Sequence, residues 1–171
     1  MTNETLRDID YLAQKCIDKY NIKIPINDID DVVSSLGGRI EDMLIENLSD
    51  GYLQKIGSEH FVIFASPYRD KINRRFHIAQ ELGHLFMHMG FKTNEELWES
   101  QKSGVWYSDS VECEEEATEF ASALLMPKNV YNEILKRYTV GNEVKTEKIA
   151  DYFGVSVSLA SARGKALGYL G

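Results

Sequence analysis

Residues 74–89, RRFHIAQELGHLFMHM, constrain this chain more than any other stretch. Phe76, Ala79, Leu82, Phe86 and Met89 recur at helical spacing, which predicts a helix over 71–89 with a wide apolar face, closed by Gly90. On another side His77, Glu81, His84 and His88 fall at i, i+4, i+7 and i+11, so three of the four histidines share one polar stripe. Glu81-Leu82-Gly83-His84 is the second half of H-E-x-x-H. In that motif two histidines four apart turn both imidazoles toward one Zn²⁺, and the glutamate takes a proton from the metal-bound water. Gln80 stands where the first histidine belongs.

Composition narrows the setting. A chain of 171 residues with 43% hydrophobic and 27% charged residues is long enough to bury a core and is expected to form one domain. Its net charge of −8 argues against a chain whose main work is holding nucleic-acid phosphates. Cys16 and Cys113 lie far apart without metal-binding spacing and read as packed or free thiols. There is no apolar run long enough to span a membrane and no charged start leading into an apolar segment, so a cytoplasmic protein is expected.

Along the chain, a first helix is expected over 2–20, with Thr2 or Asn3 as its cap. A second starts at Asn27 or Asp28 and stops at Gly37-Gly38. Strands follow at 39–45, 51–56 and 60–65, the last apolar on both faces and therefore central or covered by helices. Residues 91–110 lack regular periodicity, although Trp98 and Trp106 suggest packing. Helices are expected over 111–126, ended by Pro127, and over 129–138, 146–153 and 157–167. The fold class expected is α+β, a small mainly antiparallel sheet packed on a helical core that carries the motif helix. The helix pair at 146–168 is expected to pack on that core.

Two motifs together carry a family resemblance. Phe76-x-x-Ala79-x-Glu81-Leu82-Gly83-His84 is followed by Glu114-x-x-Ala117-x-x-Phe120-Ala121-x-x-Leu124-Leu125-Met126-Pro127. The chain resembles the ImmA/IrrE zinc metallopeptidases, and Ile149-Ala150-x-Tyr152-Phe153 and Arg163-x-x-x-Leu167-Gly168 are similar to the family's closing helices. The resemblance implies Zn²⁺ held by His84, Glu114 and position 80, with Glu81 as general base; Glu116 is the second choice for the third ligand. It also implies a protein partner, a helix-turn-helix repressor or antitoxin encoded by a neighbouring gene in a mobile-element, prophage or stress operon. No direct contact with nucleic acid and none with a membrane is expected. The chain departs from the pattern at Gln80, and at His77, where a small hydroxyl residue is usual.

Gln80 leaves three explanations open: an engineered change that disables the peptidase, a natural loss in a non-catalytic relative, or repair by His77 or His88. A neutral amide is a poor Zn²⁺ ligand beside imidazole or thiolate. A complete structural zinc site contributes on the order of 10–16 kcal/mol, so one weakened ligand is enough to empty it. His77 and His84 stand roughly 10.5 Å apart along a helix axis and cannot share an ion comfortably. His84 and His88 have the right spacing, but a site shifted onto them takes Glu81 out of its base position. The simpler readings are buried, hydrogen-bonded histidines along an empty cleft, and acidic residues at 112–116 that favour a helix start through its dipole. The resulting expectation is a zinc metallopeptidase acting on a repressor and impaired by Gln80. The alternative is a non-catalytic binding protein that keeps the peptidase shape.

Overall fold

The computed structural model describes residues 1–43, 52–106 and 110–171. The parts of the expected strands at 44–45 and 51, and residues 107–109 of the irregular stretch, lie outside the described residues. The chain divides into two compact units, Asp28–Ala121 together with Met1, and Thr2–Asn27 together with Ser122–Gly171.

The first unit opens with α1 of its own, a short helix Ile29–Ser35 whose start is held by the Asp28 carboxylate accepting from Asp30 N–H. Strands β1 (Gly38–Asp42), β2 (Tyr52–Lys55) and β3 (Phe61–Ala65) follow, and β4 (Gly104–Trp106) completes a sheet of order β1-β3-β2-β4. β3 is the interior strand expected from its apolar run, with Phe61, Val62, Ile63 and Ala65 all buried. It pairs parallel with β1 and antiparallel with β2, and β2 pairs antiparallel with β4, so two pairings of three are antiparallel. The α+β class with a small, mainly antiparallel sheet is what the chain adopts.

The motif helix α2 runs Lys71–Gly83 from an Asp70 cap that accepts from both Ile72 and Asn73 N–H. Its buried face is Ile78, Ala79 and Leu82, with Phe76 only half-buried. Beyond Gly83 the helix widens. His84–His88 form a π-helical turn in which Met89 N–H donates to His84 O, five residues back. Gly90, at φ +80, closes it; a side chain there would meet the Asn94 carbonyl at 2.7 Å. The irregular stretch resolves into a short helix α3 (Glu95–Ser100), which buries Trp98, and strand β4. Helix α4 (Val111–Leu125) closes the first unit, its last residues, from Ser122, belonging to the second.

That second unit is built from both ends of the described chain. Its N-terminal helix, α5, spans Asn3–Lys19 with Thr2 as cap and buries Ile9, Ala13, Cys16 and Ile17. Burial pushes the Cys16 thiol up to about 12, which keeps it protonated and inert. Helices α6 (Lys128–Arg137), α7 (Thr146–Phe153) and α8 (Val157–Ala166) follow, with a small hairpin of β5 (Thr139–Val140) and β6 (Glu143–Val144) between α6 and α7. The Tyr131 hydroxyl donates to Ala160 O at 2.7 Å, tying α6 to α8. Arg163 is buried; its Nε donates to Met126 O and its Nη2 to Asp10 Oδ1.

Candidate functional site

The site is assembled where α2 meets α4 within the first unit. Gly83 makes that meeting possible, because a Cβ on it would stand 3.0 Å from Ala117 Cα and 3.1 Å from Ala117 O. Around this close approach the polar stripe of α2 faces the acidic first turns of α4. Gln80 Nε2 donates to Glu114 Oε2 at 3.1 Å and to Thr118 Oγ1 at 3.4 Å. His84 Nε2 lies 3.3 Å from Glu114 Oε1. Three of the residues singled out from the sequence, Gln80, His84 and Glu114, therefore come together. Glu81 is half-buried on the same helix.

His84 is enclosed, with its side chain 4% exposed, while Glu114 reaches water at 48%. Its Nδ1 meets His88 Nδ1 at 3.0 Å, and His88 Nε2 meets Glu116 Oε2 at 3.1 Å. Trp106 of β4 covers the pair: its ring stacks on His88 with planes 5° apart and leans on His84 at a centroid distance of 5.1 Å. Burial first, and the charge of His88 second, push the His84 imidazole down to about 4. His84 is thus neutral at pH 7 and carries a single N–H. With that proton on Nε2, facing the Glu114 carboxylate, Nδ1 accepts from His88. His88 then uses its other nitrogen toward Glu116.

His77 takes no part in this run. Its Nε2 receives the Arg69 Nη1 donor at 2.6 Å, before the Gln80 turn of the helix. The sequence marks Trp106 only for packing and marks Thr118 for nothing. Thr118 has a legible signal, since it follows Glu114 by four residues on one helix and shares its face. The signal for Trp106 was absent, because a three-residue strand has no periodicity to read.

Residues 44–165 match the Peptidase_M78 family, described as the IrrE N-terminal-like domain. The chain belongs to the IrrE N-terminal-like domain family. No curated protein matches it. Among solved structures it is similar to a Mycobacterium tuberculosis transcriptional regulator, at a TM-score of 0.62 and 16% identity, over 94% of this chain and 47% of that one. That likeness is one of fold, and the chain spans about half the length of the regulator.

IrrE-type domains are typically zinc-dependent, so the donor set of this one can be tested against the ion. Among the described residues no group of three or more His, Cys, Asp or Glu is placed to hold a metal. The local chemistry explains this. An ionised carboxylate only accepts, so Gln80 must face Glu114 with its NH₂ side, which has no lone pair to offer an ion. Both ring nitrogens of His84 are already engaged, one with Glu114 and one with His88. The arrangement fits a hydrogen-bonded run, not a three-ligand zinc centre.

Proposed function

We propose that this IrrE-type domain regulates transcription by engaging a helix-turn-helix repressor or antitoxin, and that with Gln80 in place it grips this partner without cutting it. The observation that carries the reading is the Gln80 amide donating to Glu114, which fills the first-ligand position with a donor. The family membership supports a regulatory domain of peptidase type. A basic partner surface suits the net charge of −8. Binding needs only a surface of matching shape and charge.

A second reading, an active zinc endopeptidase, is favoured by one thing: Glu81, His84 and Glu114 are all retained, so a single substitution separates this site from a complete H-E-x-x-H set. The two are separated by incubating the protein with the product of the neighbouring repressor gene, with and without Zn²⁺. A stable one-to-one complex with intact partner is expected from the protein as it stands. Gln80→His is expected to raise zinc affinity at least tenfold and to expose cleavage that Glu81→Gln then abolishes. Cleavage by the unaltered protein would sink the binding reading. A Gln80→His variant that takes up no more zinc than the parent would show that the inferred ligand geometry is wrong.

A further inference from the structure

We propose that the side-chain run Gln80–Glu114–His84–His88–Glu116, covered by Trp106, takes the place of a metal ion as the cross-link between α2 and α4, so that the two helices are held together without zinc. This goes beyond the function proposed above and rests on the same cleft geometry, but not on the identity of any partner.

Consecutive members of the run are 3.0–3.3 Å apart, and three of the four links cross between the two helices. Gln80, His84 and His88 come from α2 and its π turn, and Glu114 and Glu116 come from α4. A zinc ion on an H-E-x-x-H helix and a downstream glutamate makes the same mechanical connection, drawing two helices together through ligands on each. Here the connection is made by protons. Gln80 donates to the Glu114 carboxylate that also faces His84. His88 answers the inner nitrogen of His84, which would otherwise be a buried, unsatisfied ring atom. Glu116 in turn holds His88.

The π turn belongs to this device. It accommodates an extra backbone step at His84–His88 and lets Met89 bond back to His84. Trp106 closes the top of both rings and excludes water from the inner bond, which makes that bond stronger and its loss more costly. His88 is therefore a positioning residue: it fixes which nitrogen of His84 carries the proton, and through it the spacing of the two helices.

The test uses the whole chain. Thermal unfolding is followed after exhaustive dialysis against EDTA, and again with excess ZnCl₂. The midpoint is expected to move by less than about 1 °C between the two. His88→Ala is expected to lower it by about 3–8 °C in both conditions, and Glu116→Gln by less. Long-range ¹H–¹⁵N spectra of the metal-free protein are expected to show His84 protonated on Nε2 alone. In His88→Gln, which keeps a polar partner but not the ring, that tautomer signature should blur; a merely space-filling His88 would leave it unchanged. A zinc-dependent rise of many degrees, or stoichiometric zinc in the purified protein, overturns the proposal. So does a His88→Ala variant as stable as its parent with the His84 signature intact. Loss of the repressor complex with these results unchanged would count only against the proposed partner.

Discussion

Burial keeps His84 neutral, and that neutrality has a price in acid. The folded imidazole titrates at about 4, below its ordinary value of 6.5. Between those values the unfolded chain binds a proton that the folded chain refuses, so stability rises with pH across the window. The contribution is fully present above about pH 6.5 and is lost as the pH falls toward 4. It amounts to roughly 3 kcal/mol at most. Guanidinium unfolding of the EDTA-treated protein at pH 7.5 and 4.5 should show the difference, and His84→Asn should remove part of it. A variant with the same pH dependence as the parent would show that another group carries the acid sensitivity. His84 and Glu114 were legible as partners because their two motifs are. The inner bond from His84 to His88 was not, because helical spacing brings two rings near each other without saying which nitrogens meet.

At the level of elements, α2 and α4 depend on the absence of one side chain. Gly83 has ordinary helical angles, φ −60 and ψ −49, so its presence is not explained by backbone freedom. The reason is proximity: its would-be Cβ faces Ala117 Cα, Ala117 O and Phe120 Cβ, all within 3.1 Å. Backbone atoms cannot swing aside as a flexible side chain can. Gly83→Val should therefore destabilise by about 1–3 kcal/mol through overpacking, read as a lower denaturant midpoint. An unchanged midpoint would mean that the helices do not meet there. Element boundaries were legible where the chain carries punctuation. Asp28 and Asp70 start helices, and Gly90 and Gly154 end them. Helix α7 falls at Thr146–Phe153 as its sequence predicts. Three short strands, β4, β5 and β6, and the helix Glu95–Ser100 were not legible, since each is too short to display a period. The π turn escaped for a different reason: the apolar residues around it still look helical, and only the backbone bonding shows the extra step.

For the molecule as a whole, Arg163 matters beyond its place in a family motif. The Arg163-x-x-x-Leu167-Gly168 signature resembles a closing helix, where an arginine is ordinarily a solvated surface cation. Instead its side chain is 3% exposed and joins Asp10 to the Met126 carbonyl within the second unit. Asp10 keeps some access to water, at 26% exposure. Arg163→Met should accordingly cost about 2–3 kcal/mol, less than a fully buried pair, measured by urea unfolding. Asp10→Asn should cost less, and the double variant less than the sum of the two. Strict additivity would mean the two side chains are not coupled.

The same ion pair joins residues 153 positions apart in sequence, and this has a consequence for how the protein is made. During synthesis, the helix Asn3–Lys19 leaves the ribosome before the rest of its unit, with its apolar stripe bare. Its partners, residues 122–171, follow only after the whole of residues 28–121 has been translated. At about 5–20 residues per second the wait is several seconds or more. The strands and motif helix of residues 28–121 are contiguous and can form on the way. That earlier-made helix is thus buried only once residues 122–171 have emerged, and for that interval Ile9, Ala13, Cys16 and Ile17 are a nascent-chain surface open to chaperones.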